Sequence, residues 1–105
     1  MAADNYAMSL IHLGRFKEAK SQLRRTIPVA RRVFGENNEL TLKMRSIYAE
    51  AVYKDEGATP DDLHKAVTTL GEIQRSARRV LGSAHPLTRD IGELKDLLDA
   101  RETPP

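Results

Sequence analysis

Cysteine and tryptophan are both missing from the 105 residues, and aromatic side chains make up only 5% of the chain. Without cysteine there is no disulfide, no thiol nucleophile and no cysteine-based zinc site; the absence also fits a reducing compartment. With so few rings, the core must come from many small aliphatic contacts, and no array of aromatics exists on which bases could stack. The excess of one charge sign is small as well: the net charge of +2 is too small to argue for nucleic acid. No apolar run approaches the ~20 residues that a membrane span needs, and Met1-Ala2-Ala3-Asp4 lacks the profile of a signal peptide. No nucleophile motif, glycine-rich phosphate loop or paired-histidine metal motif occurs. The expectation is a cytoplasmic, intracellular protein that is not an enzyme and takes no cofactor or metal.

What is present is a globular composition, 40% apolar and 30% charged, of a length that suits one small domain. Its apolar residues fall into helical stripes. Ala3, Tyr6, Leu10 and Leu13 form the first, stopped at Gly14; Phe16, Ala19, Leu23, Ile27, Ala30 and Phe34 form the second, stopped at Gly35. Pro28 lies inside the second stripe, where it removes one backbone donor; the unbroken apolar spacing favours a bent single helix over the alternative, two shorter helices with Pro28 opening the second. Asn37 or Asn38 is placed to cap a third helix carrying Leu40, Met44, Ile47, Tyr48, Ala51 and Val52. Thr59-Pro60-Asp61-Asp62 reads as cap, first-turn proline and acidic first turn of a fourth helix, Pro60 to Leu81. His85-Pro86 opens a fifth through Leu87, Ile91, Leu94, Leu97 and Leu98, and Arg101-Glu102-Thr103-Pro104-Pro105 is expected to be frayed or extended. No strand pattern appears.

The helices repeat. Ala30-Arg31-Arg32-Val33-Phe34-Gly35 leading to Leu40-Thr41 returns 47 residues later as Ala77-Arg78-Arg79-Val80-Leu81-Gly82 leading to Leu87-Thr88. Tyr6-Ala7 matches Tyr48-Ala49 at an offset of 42, so the extra five residues fall in the turn before the fourth helix. A fixed offset held across a helix end, a turn and the next helix start marks a repeat array, whose loops tolerate insertions. The expected organisation is one domain over 1–105, with repeat 1 at about 2–35 and repeat 2 at about 38–82, carrying a loop insertion at 55–59. A capping helix follows at about 86–101.

Leu13-Gly14-Arg15-Phe16-Lys17-Glu18-Ala19 resembles the central signature of a tetratricopeptide repeat (TPR). Val80-Leu81-Gly82 followed by His85-Pro86-Leu87-Thr88 resembles the inter-repeat junction of the longer, kinesin-light-chain-type version, with ~42-residue repeats. The resemblance implies an all-α, right-handed superhelical stack of antiparallel helix pairs: two pairs plus a C-terminal capping helix. There are departures. Leu63 stands where Phe16 stands in the first pair, and Thr26 and Ile73 take a small-residue position late in the second helix of each pair. Asp96 falls where the small residue in the first helix of a third pair would be, which suggests a cap. Gly71 and Gly92 fall mid-helix, where glycine costs ~1 kcal/mol relative to alanine.

In relatives of this kind the A helices line a concave groove for a peptide. Carried over, the groove positions are Asp4, Met8, Ile11 and His12 from the first helix. The third helix supplies Lys43, Ser46, Glu50, Tyr53 and Lys54, and the fifth Asp90, Glu93 and Leu97. The mixture suits a short amphipathic peptide or helix of another protein. Asp4 and Met8 occupy the places of the Lys and Asn that in some relatives clamp a C-terminal carboxylate, so that mode is not expected.

Two other functions compete with a protein-interaction scaffold. One is a structural spacer, or part of a longer array, that self-associates through its end faces. The other is a basic-face binder of nucleic acid or acidic partners through Lys17, Lys20, Arg24 and Arg31, a single stripe at spacings of three, four and seven. Its plain alternative is a solvated face with arginines near helix C-termini. His12, His64 and His85 share no ligand spacing; His85 suits turn chemistry and His64 a surface position beside Asp61 and Asp62.

Overall fold

A computed structural model describes residues 2–102, with side chains from 5 to 101. Five helices occur in order: α1 (Ala2–His12), α2 (Phe16–Phe34), α3 (Glu39–Lys54), α4 (Pro60–Val80) and α5 (Pro86–Glu102). No strand occurs among the described residues. Each boundary has a local cause. The Asn38 side chain caps α3 by accepting from the Leu40 N–H at 2.9 Å. Thr59 and Asp62 form a reciprocal capping box at the start of α4, each side chain accepting from the other's backbone N–H. Gly35 and Gly82, 47 residues apart, end the two long helices at φ 97° and 92°, a region where a side chain is strained.

α2 runs unbroken through Pro28. The fifth helix matches its expected span to within a residue, but its end is ordered. Arg101 and Glu102 are helical instead of frayed, and Arg101 donates to the Tyr53 carbonyl while its guanidinium lies 5.6 Å from the Tyr53 ring. That contact with α3 holds the end of the helix. Residues 103–105 lie outside the described residues.

Consecutive helices pack on one another, and α3 is the one helix that touches all four others. Two buried clusters result. Ala7, Leu10, Ile11, Ala19, Leu23 and Ala30 meet Met44, Ile47 and Ala51 of α3 in the first. Leu42, Ala49 and Val52 of α3 meet Leu63, Ala66, Leu70, Ile73, Ala77, Ile91 and Leu98 in the second. Residues 44, 47 and 51 lie on one side of α3, and 42, 49 and 52 on another. α3 is therefore apolar around most of its girth, as a central helix must be. Ala30 and Ala77, both fully buried, let the helices approach closely at equivalent places.

The stripe expected for α1 is displaced. Leu10 is buried, but Tyr6 and Leu13 are exposed, and Ala7 and Ile11 fill the core instead. α1 packs on α2 and α3 together, so its buried face is set by the side where both neighbours lie.

Mid-helix glycines sit at the α4–α5 seam. A Cβ on Gly71 would lie 3.6 Å from Lys95 Cε, and one on Gly92 would lie 2.9 Å from Gln74 Nε2. Gly92 makes room for a long polar side chain from the facing helix. Asp96, at the repeat position of the buried Ala7 and Ala49, is exposed, because no described helix covers that side of α5.

Candidate functional site

Two hollows bring together residues from more than one helix that the sequence singled out. The first lies between α3 and α5, with a volume of about 320 Å³, lined by Glu50, Tyr53, Lys54, Asp90, Glu93, Leu94 and Leu97. On α3, Glu50 and Lys54 are one turn apart and paired at 3.2 Å. On α5, Asp90, Glu93, Leu94 and Leu97 follow helical spacing toward the same space. Leu97 is 51% exposed, a large aliphatic group left in the open. Asp90 and Glu93 have no ion-pair partner among the described residues. The hollow therefore offers two unpaired carboxylates, one paired one, two leucines and a tyrosine ring.

Six of the expected groove residues line this hollow, and Leu94, which was expected only as core, joins them. The remaining groove positions do not. Ile11 is a correction: it is 3% exposed in the cluster formed by α1, α2 and α3, and offers a ligand no surface. Ser46 is also buried, its hydroxyl donating to the Lys43 carbonyl at 2.8 Å. Met8 is half-buried against the first cluster, and His12 and Lys43 are exposed. The Asp4 side chain lies outside the described residues.

The second hollow, about 250 Å³, lies between α2, α3 and α4, and Arg24, Arg31, Arg45 and Tyr48 dominate its lining. Arg24 Nε donates to the Tyr48 hydroxyl at 3.1 Å, with the guanidinium 5.7 Å from the ring centroid. A single oxygen of Glu36 lies 3.2 Å from Arg31 Nε and 3.3 Å from Arg45 Nη1. Arg45 reaches Glu72 at 3.6 Å. Burial, and then the neighbouring Arg31, pull the Arg45 pKa below its ordinary value; Glu36 and Glu72 oppose the shift.

The stripe Lys17, Lys20, Arg24 and Arg31 is thus broken up by its neighbours. Lys20 is committed to Asp55 at 2.9 Å, both side chains being only 14% exposed, which ties the α3–α4 loop to α2. The hydrogen bonds from Lys20 and from the Gly57 N–H hold the Asp55 carboxyl below the usual carboxylate range. Lys17 remains exposed beside Asp55. Arg45 and Tyr48 were not legible as site residues, since each gains its role only from partners on other helices.

His85 is a structural residue. Its Nδ1 accepts from the Leu87 N–H at 3.1 Å and its Nε2 lies 2.7 Å from Glu39 Oε1. A neutral ring carrying its proton on Nε2 satisfies both contacts, and so joins the α4–α5 turn to the start of α3. Among the described residues no group of three or more His, Asp or Glu side chains is arranged to hold a metal. No described helix is long and apolar enough to cross a membrane.

The geometry defines a class: an all-helical protein of five helices, each packed on the next, with exposed clefts between them. Residues 1–39, spanning α1, α2 and the first residue of α3, match the family model described as Tetratricopeptide repeat. The match supports a TPR-type repeat protein, and repeats of that family suggest a protein–protein interaction scaffold. Comparison with curated proteins and with solved structures gave no significant match.

Proposed function

We propose that the chain is a non-catalytic interaction module of the longer, kinesin-light-chain-type repeat, which binds a peptide segment of another protein in the α3–α5 hollow. In this reading residues 1–105 form one domain, a right-handed stack of two helix pairs and a capping helix. The observation that carries the reading is the pairing of open aliphatic surface, Leu94 and Leu97, with the unpaired carboxylates of Asp90 and Glu93. That chemistry suits a peptide that presents an apolar side chain next to a lysine or arginine. The helices hold these groups in place before binding, so little ordering entropy is lost on the protein side.

The test is selection from a displayed random peptide library, followed by affinity measurement of the recovered sequences by fluorescence anisotropy. Basic-apolar sequences are expected. Glu93→Lys and Leu97→Asp should each weaken them about tenfold or more, the scale of a well-placed interface contact. Recovery of no sequence, or of sequences indifferent to both variants, would sink the proposal.

A second reading has its own support. Tyr6, at the repeat position of Tyr48, is 55% exposed, and Leu13, Val29 and Val33 are exposed large apolar residues on the same helix pair. Tyr48 itself is covered by α2 and its hydroxyl accepts from Arg24. The α1–α2 pair would then meet a further repeat or a second copy. Sedimentation velocity checks this: association that strengthens with concentration and is lost in Leu13→Asp supports it, and a monomer at every concentration rejects self-association.

A further inference from the structure

The hollow between α2, α3 and α4 has an unbalanced charge that neither reading above uses. Three guanidiniums, Arg24, Arg31 and Arg45, face it, against two carboxylates, Glu36 and Glu72. Glu36 lies between Arg31 and Arg45, with one oxygen within 3.3 Å of each, so that pair already accommodates a carboxylate. Arg24 is satisfied only by a neutral group, the Tyr48 hydroxyl, and has no carboxylate among the described residues. Its remaining N–H donors are open to a ligand. Ile27 and Pro28 form an apolar wall beside it.

We propose that this hollow binds a glutamate or aspartate carboxylate from an acidic protein segment, with Arg24 as the receiving cation, Arg31 beside it, and Tyr48, Ile27 and Pro28 packing the hydrocarbon stem. One added carboxylate brings the three cations and two anions to balance. Arg45 is partly buried beside Arg31, which adds to the positive side of the balance despite Glu36 and Glu72. A nucleic-acid backbone fits less well. It needs an extended row of cations, and here Lys20 and Arg31 are already paired with Asp55 and Glu36. Tyr48 alone supplies a ring to this hollow.

The experiment uses the full chain and fluorescein-labelled hexaglutamate, read by anisotropy, with the Tyr48 ring resonances followed by NMR. Saturable binding that moves the Tyr48 resonances is expected. Arg24→Gln should weaken it about fivefold, the scale of a partly exposed ion pair. Arg79→Gln, which removes the same charge from an exposed position on α4 that lines neither hollow, should change it less than twofold. Arg24→Lys keeps the charge and should fall between wild type and Arg24→Gln; circular dichroism checks that all variants are folded. Equal weakening by Arg24→Gln and Arg79→Gln would reduce the effect to general electrostatics and overturn the proposal. So would no binding, unmoved Tyr48 resonances, or tighter binding of a single-stranded oligothymidylate of equal charge.

Discussion

The α2–α3 and α4–α5 seams are built on equivalent positions and finished in opposite ways. Ala30 and Ala77 are both fully buried, Leu23 and Leu70 likewise, and Gly35 and Gly82 make the same turn. At the outer edge they diverge. Arg24 and Tyr48 in the first seam become Gly71 and Lys95 in the second; Ile27 and Arg45 become Gln74 and Gly92. The first seam is filled by a stacked arginine and tyrosine. The second is hollowed by glycines to take Lys95, which pairs with Asp99 at 2.9 Å, and Gln74. The small and aliphatic residues define the helix pair, while the edge positions are free to change chemistry.

The deepest positions should behave alike if that division holds. Leu23→Ala and Leu70→Ala, both fully buried, should each cost about 3 kcal/mol in urea unfolding, the middle of the range for truncating a buried leucine. A difference of more than about 2 kcal/mol between them would break the equivalence of the seams. Next in size is overpacking. Ala19→Leu should cost about 1–3 kcal/mol, and Ala66→Leu somewhat less, since Ala66 keeps 6% exposure where Ala19 has none. Melting curves indistinguishable from wild type for both would show that the helix register has been misread.

Smaller effects sharpen the contrast at the edges. Gly71→Ala should stabilise by up to ~1 kcal/mol through helix propensity, because the new methyl meets Lys95 Cε at an ordinary 3.6 Å. Gly92→Ala should gain less, since Gln74 must first move away from a 2.9 Å contact. Thermal melts in which Gly92→Ala gains the more would refute that account. The smallest expected difference concerns two threonines. Thr41 donates to the Ala30 carbonyl at 3.4 Å, whereas the equivalent Thr88 hydroxyl is buried with no partner among the described residues. Thr41→Val should cost about 0.5–1 kcal/mol, and Thr88→Val should be neutral or stabilising; chemical denaturation of the pair reads the sign.

Helix existence and ends were legible because their causes are local. Asn38, Thr59, Gly35 and Gly82 each act on their own helix, and the structure finds them doing so. At Pro28 the continued apolar spacing favoured one helix over two, and α2 is a single helix there. What failed depended on two helices at once. The buried face of α1 is set by α2 and α3 together, so Ile11 passed for a surface residue and Tyr6 for a core one. The reason for Gly92 lies in Gln74, eighteen positions away. Of the α3–α5 hollow, the other six lining residues were among the positions carried over from the resemblance, but Leu94 was hidden by its fit to the core stripe.

The double membership of α3 has a consequence for how the molecule opens. α1 can detach by giving up part of the first cluster, and α5 by giving up part of the second. α3 cannot leave without dissolving both. Amide protons on α1 and α5 should therefore exchange with deuterium through partial opening, while those in the middle of α3 exchange only when the whole chain unfolds. The central helix is the clasp that makes two small cores rise and fall as one cooperative unit.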